Sequence, residues 1–203
     1  MIPKMLRKFP VTITISLLTL VIGVAPQFAE LMQLDFNAVA DGQWWRIWTG
    51  HLAHFDREHL LWDLVMFIGI AGMCEKTYPA QILPALLLIG GTISCAVGAF
   101  VPQVDTYRGL SGIDTALFVW IAGARLLESL KHNNTIVACC WGVPCAGLIF
   151  KLVFEATTHQ TMFVEAQTFT PLVESHLAGV AVGIVICIYV WCAKMVSSRS
   201  CLE

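Results

Sequence analysis

Charge is scarce in this chain: only 13% of its 203 residues are Asp, Glu, Lys or Arg, about half the share found in a soluble domain. The 12 Lys and Arg are scattered and the net charge is −2, which excludes the basic surface that nucleic-acid binding requires. Internal repeats, low-complexity tracts and a segment able to form a soluble domain are missing, and coiled coil and disorder are excluded. Zinc-type cysteine spacing is missing too. Cys139, Cys140 and Cys145 have no His at ligand distance, and the eight cysteines lie mostly within apolar stretches or at their ends. They read as small packing residues, not as the framework of a secreted domain. What remains is abundant: 57% of the side chains are apolar and the mean hydropathy is +0.73, the composition of a polytopic membrane protein.

A helix needs about 20 mainly apolar residues to span a bilayer, and fewer where neighbours shield it. Six stretches approach this, roughly 9–28, 60–74, 79–100, 112–127, 135–154 and 173–196, and they predict an all-α bundle of six transmembrane helices in one membrane domain over 1–203. Met1–Lys8 supplies a basic start, but the first stretch is too long for a signal peptide and too poor in small residues at its end, so it is expected to stay as a span. Lys4, Arg7, Lys8, Lys76, Arg125, Lys131, Lys194 and Arg199 fall on one side of this arrangement and Arg46, Arg57, Arg108 and Lys151 on the other. Cations near helix ends are retained inside, so both termini are expected in the cytoplasm. The opposite side collects acids, Glu155 and Glu165 among them. A large outer loop, 29–58, carries Trp44, Trp45 and Trp48, residues suited to a membrane–water interface.

Ionisable residues in or near spans are costly, and each is a functional candidate. His59 and Asp63 are four apart and so share a helical face. Ser111 stands in Gly109-Leu110-Ser111-Gly112 at a loop-to-helix junction, where glycines leave its hydroxyl accessible and amides at the helix start can stabilise a developing oxyanion. His176 is followed by Gly179 and Gly183, a G-x-x-x-G strip that lets a neighbouring helix approach closely. A serine and a histidine brought together in this way suit acyl transfer, the imidazole taking the hydroxyl proton during attack and returning it to the leaving amine. Asp114, three residues after Ser111, is either an acid that orients His176 or a first-turn acid favoured by the helix dipole.

Taken in order along the chain, Trp45-Arg46 in the large loop, then His51, His54, His59 and Asp63, then Gly109-Leu110-Ser111-Gly112, then His176 with Gly179 and Gly183, resemble the rhomboid family of intramembrane serine proteases. Tyr107-Arg108 before the serine motif, on a short chain, is most similar to the rhombosortase branch. The resemblance implies a Ser111–His176 dyad and an oxyanion site from His59, residue 63 and backbone amides including that at Gly112. It also implies a multi-pass protein of the bacterial inner membrane, without a cofactor. The implied substrates are membrane-anchored secreted proteins bearing a C-terminal Gly-Gly motif and hydrophobic helix, cut near the outer face with hydrolysis or transfer to an amine. The first loop, with Trp44, Trp45 and Arg46, is expected to shape the lateral wall of a wet cavity.

One position departs from the family pattern. Asp63 stands where asparagine is usual, and an ionised carboxylate would repel the oxyanion. Either burial keeps it protonated, or it orients His59 and leaves that imidazole as the donor, the alternative we favour from the sequence. Two other functions compete with the protease reading: a metal-dependent membrane protein using His51, His54, His59 and Asp63, and a catalytically silent rhomboid-like protein that binds membrane clients.

Overall fold

The computed structural model describes residues 8–158, 160, 162 and 172–200, the side chains of 197–200 excepted. Lys4, Arg7, Glu165, the Arg199 side chain, Cys201 and the Leu202-Glu203 end lie outside the described residues.

Helix α1 (Pro10–Gly23) leads into a short α2 (Pro26–Met32), then a strand β1 (Leu34–Asp35), the small helices α3 (Phe36–Ala40) and α4 (Arg46–Thr49), and a 3-10 turn at Gly50–Leu52. The long helices α5 (Arg57–Thr77) and α6 (Ile82–Phe100), a strand β2 (Thr106–Tyr107), and the long helices α7 (Ser111–Lys131), α8 (Thr135–Thr158) and α9 (Val173–Ser200) follow. The ends of the five long helices α5 to α9 fall within four residues of those expected from hydropathy.

The first expected span is the exception. It does not run through 9–28, because the chain bends by 114° between α1 and α2. Pro26 opens α2 and forces the preceding Ala25 out of helical geometry, to φ −121° and ψ 101°. The all-α expectation also needs a small amendment, since β1 and β2 pair antiparallel, Leu34 opposite Tyr107 and Asp35 opposite Thr106, and tie the large loop to the approach of α7.

Among the described residues, three helices are long and apolar enough to cross a bilayer, α6, α8 and α9 through Val196, and the bent α1–α2 pair would make a fourth. This is a polytopic helical bundle. Helices α5 and α7 have 21 residues each, about 31 Å at 1.5 Å per residue and sufficient for a bilayer core of about 30 Å. They carry ionisable groups as well as apolar ones, and α7 is the more enclosed, packing most extensively on α9 and also on α5, α6 and α8, whereas α5 leaves Leu61, Trp62, Val65, Met66 and Ile68 exposed. Trp120, Leu117, Ile121, Phe67, Ile89 and Ile93, from α5, α6 and α7, form the fully buried centre.

Two polar devices fix one end of the bundle. Glu75, buried on α5, accepts hydrogen bonds from the Val11 and Thr12 amides at 2.8 Å each and from Thr12 Oγ1 at 2.6 Å. It thereby satisfies the otherwise open start of α1 and locks that helix to α5. Glu128, Arg125, Lys131 and Lys194 gather at this same end, with Lys194 Nζ 3.1 Å and Arg125 Nη1 3.4 Å from the Glu128 carboxylate. The opposite end holds Ser111 and His176. The small-residue strip on α9 meets α7 there as expected: a Cβ on Gly179 would collide with the Gly112 carbonyl, and one on Gly183 would lie 2.6 Å from the Ala116 carbonyl.

Candidate active site

Each residue of the site enters from a helix end. Ser111 is the first residue of α7, His176 the fourth of α9, His59 the third of α5, and Glu155 the fourth from the end of α8. Close α7–α9 packing carries the imidazole to the hydroxyl, and His176 Nε2 lies 3.1 Å from Ser111 Oγ. Both line a cavity of about 860 Å³, whose remaining wall includes Phe55, Trp62, Met66 and Ile70 from the α5 side and Pro144, Leu148 and Phe150 from α8.

The acid that meets His176 is not Asp114. Glu155 Oε2 is 2.9 Å from His176 Nδ1, and Lys151, one turn before it on α8, places Nζ 2.7 Å from the same oxygen. Asp114 lines the cavity, is buried, and its Oδ1 has no hydrogen-bond partner. It makes no hydrogen bond to His176, whose Nδ1 is taken by Glu155, so the orienting role considered for it does not hold; it does stand in the first turn of α7, as the helix-dipole alternative has it, but buried. Glu155 was missed because counting charges by loop groups it with the outer acids. The signal available was a Lys–Glu pair at i,i+4 inside an otherwise apolar span, which is costly unless both members have work to do there.

On the other side of Ser111 a second cluster forms around one oxygen. Asp63 Oδ2 accepts hydrogen bonds from the backbone amides of Leu110 at 2.8 Å and Ser111 at 3.1 Å, with His54 Nε2 at 3.1 Å and His59 Nε2 at 3.3 Å. The carboxylate therefore does contact His59, and it also sits on the amides from which an oxyanion site would be built. The Gly112 amide is not among the donors to Asp63, and Gly112 serves the α7–α9 crossing, where an added Cβ would lie 3.1 Å from the Ser175 carbonyl. Gly109 is required by the turn itself: its φ is +127°, and a Cβ would lie 2.9 Å from His59 Nε2. Phe55 stacks on the His59 ring, and the Arg108 guanidinium lies 5.1 Å from the centre of Phe55.

Of the four residues of the metal reading, three converge: one ligand atom each from His54, His59 and Asp63 lie within 4.8 Å of one another. His51 does not join them. Its Nε2 faces Gly90 O at 3.0 Å and Ser94 Oγ at 3.1 Å, so it stitches the large loop to α6. Complete burial pushes the His51 pKa down to about 4, against the smaller upward effect of its backbone hydrogen bonds to Gly90 and Gly109. Burial likewise raises the Tyr107 phenol above its ordinary range; its hydroxyl donates to Gly109 O at 3.2 Å.

Trp44, Trp45 and Arg46 do not line the cavity. The three tryptophans of the loop are exposed, as suits an interfacial belt, and Trp48 Nε1 donates to Leu87 O at 2.9 Å. Arg46 is buried and holds the loop together, donating to Gln33 O at 2.9 Å, Glu30 O at 3.2 Å and Gln43 Oε1 at 2.8 Å. Cys139 and Cys140 are exposed on α8.

A hydroxyl and an imidazole lie within hydrogen-bond reach on a largely apolar cavity at one end of a helical bundle, an arrangement chemically able to carry acyl transfer. The Rhomboid domain family model matches residues 41–193, from the tryptophan loop into α9, and the chain belongs to the rhomboid family. Rhomboid proteins are usually intramembrane serine proteases, although some members are inactive.

Proposed function

We propose that this protein is an intramembrane serine endopeptidase of the rhombosortase type, a single membrane domain of six crossings with both termini cytoplasmic, resident in a bacterial inner membrane. The observation that carries the reading is the 3.1 Å approach of Ser111 Oγ to His176 Nε2 at the cavity. Ser111 attacks a peptide carbonyl as His176 takes its proton, and His176 then protonates the leaving amine. His59 and the amides of Leu110 and Ser111 are the donors nearest the nucleophile, and they hold the oxyanion once Asp63 gives way. Water, or an amine, resolves the acyl-enzyme.

The cavity's apolar walls suit a substrate helix, and helical carbonyls are hidden until the helix breaks, so the scissile segment contains small helix-breaking residues such as Gly-Gly. The test is incubation of the purified protein in detergent with a chimeric substrate bearing a Gly-Gly tail, a hydrophobic helix and basic residues. Release of a fragment whose mass fixes the cut beside the glycines, lost in Ser111→Ala, is expected; release that persists in Ser111→Ala overturns the reading.

A second reading has an observation of its own in the convergence of His54, His59 and Asp63. It makes activity depend on a bound divalent ion. Inactivation by a chelator would favour it, whereas inactivation by a serine-directed phosphonate with the adduct on Ser111 would eliminate it. A silent client-binding protein would show neither response.

A further inference from the structure

The dyad leaves unexplained why a lysine and a glutamate stand in the same cavity wall. Glu155 is buried, with a side chain 4% exposed, on a helix that otherwise faces apolar surroundings, and its Oε2 is held from two sides by His176 Nδ1 at 2.9 Å and Lys151 Nζ at 2.7 Å. Lys151 Nζ itself lies 3.3 Å from His176 Nδ1. We propose that Glu155 is the positioning acid of the catalytic histidine, with Lys151 anchoring the carboxylate, so that the site works as a Ser111–His176–Glu155 triad. This rests on the serine protease reading above and adds a third member to it.

The chemistry follows from which nitrogen carries the hydrogen. A carboxylate only accepts, so Glu155 fixes the hydrogen on His176 Nδ1 and leaves the lone pair of Nε2 directed at Ser111 Oγ, the tautomer a general base requires. When Ser111 attacks, its proton moves to Nε2 and the imidazole becomes a cation whose Nδ1–H already points at a negative oxygen; when the leaving amine takes that proton back, the starting state returns. No proton needs to pass to Glu155.

Lys151 makes the acid more important than orientation alone would. An ammonium has three donors and no acceptor. If the carboxylate is lost, the nearest group to Nδ1 is the ammonium, which would donate to that nitrogen, move the imidazole hydrogen to Nε2 and aim it at Ser111, the tautomer that cannot act as base. The same ammonium would also oppose the imidazolium formed during attack. Lys151 is therefore compatible with catalysis only while Glu155 engages it, and the cost of losing Glu155 should fall when Lys151 is removed as well. Residues at i and i+4 on α8 supply both groups, which keeps their separation fixed whatever the tilt of that helix.

The test combines kinetics with a measurement on the unaltered protein. Glu155→Gln is expected to lower kcat by about 100- to 10,000-fold with KM nearly unchanged. Glu155→Asp should recover part of that loss, and Glu155→Gln with Lys151→Met should be at least tenfold faster than Glu155→Gln alone. In the wild-type protein, 15N NMR of labelled histidine should report the Nδ1–H tautomer for His176. An Nε2–H tautomer there overturns the proposal without any variant, and so does Glu155→Gln cleaving at the wild-type rate. Phosphonate labelling separates the two levels of the argument. If wild type labels at Ser111 but the kinetics ignore Glu155, the triad fails and the protease stands; if wild type neither labels nor cleaves, both fail.

Discussion

Replacing Asp63 by Asn isolates the strongest electrostatic conflict in the site. In the structure one carboxylate oxygen accepts from the Leu110 and Ser111 amides at 2.8 and 3.1 Å, the donors that the tetrahedral intermediate needs. For a substrate to use them the carboxylate must withdraw, surrendering two hydrogen bonds to a charged acceptor worth about 1.5–3 kcal/mol each. An asparagine carbonyl in the same place forms neutral bonds of about 0.5–1.5 kcal/mol each, so the cost of vacating the amides falls by roughly 2–3 kcal/mol. A negative charge remaining about 4 Å from the oxyanion would add a repulsion of about 4 kcal/mol at an effective dielectric constant of 20, which asparagine also removes. Part of this gain is offset, because His54 and His59 at 3.1 and 3.3 Å lose a charged acceptor that orients them.

The net expectation for Asp63→Asn is a kcat/KM kept or raised, by up to about 10- to 100-fold, equivalent to about 1.4–2.7 kcal/mol of barrier. Initial rates on the Gly-Gly chimera at neutral pH, with phosphonate labelling of Ser111 as a second readout of the nucleophile, would measure it. A loss of tenfold or more in a variant that folds and labels normally would refute the reasoning. It would mean that the carboxylate is required as the organiser of two imidazoles.

Four further outcomes follow from the same contacts. Asp114→Asn should retain kcat within about tenfold, because Asp114 does not meet His176, whereas a thousandfold loss would restore it to the machinery. His51 is buried with a pKa near 4 and titrates near 6.5 when unfolded. Its stability contribution, about 3 kcal/mol, is full above pH 6.5 and disappears as pH falls towards 4; unfolding in detergent across that window should flatten in His51→Gln. Glu75→Ala leaves the Val11 and Thr12 amides open at the start of α1 and should cost about 3 kcal/mol, read as a lowered unfolding midpoint with α1 the first segment to become protease-sensitive. Gly179→Val drives a side chain into the Gly112 carbonyl and should cost about 1–3 kcal/mol or more, with cleavage falling further than stability because Ser111 and His176 are pushed apart.

The sequence exposes those parts of this protein whose physics is local. Helices α6, α8 and α9 are legible because apolar length is a property of a segment. The α7–α9 contact is legible because Gly179 and Gly183 repeat at the spacing of one helical face. The break after Gly23 is overlooked because hydropathy runs through Pro26 unchanged, although the proline itself signals it. Spatial pairing of distant residues is what composition and spacing cannot supply. His51 and His54 are three apart, yet one serves α6 and the other Asp63, because His51 lies within the 3-10 turn Gly50–Leu52 and His54 beyond its extended cap at Ala53. Asp114 is nearer to Ser111 in sequence than Glu155 is, yet proximity along the chain does not decide which acid meets His176.

The choice between those two acids has a geometric cause. Residues at i and i+3 project from one face of a helix, so an acid three positions after Ser111 shares the serine's side of the imidazole, while the partner of Nδ1 must stand across His176 from Ser111. Once Nε2 of the ring faces α7, Nδ1 faces away from it, and the helix on that side here is α8. An acid on the serine's own helix therefore cannot face Nδ1 without reversing the ring, and among the described residues the acid that faces it is Glu155 of α8. The same reasoning makes α8 more than a wall of the cavity. Although it is the least buried of the three apolar spans, it carries Lys151 and Glu155, and any tilt that separates it from α9 would break the 2.9 Å contact on which the base depends.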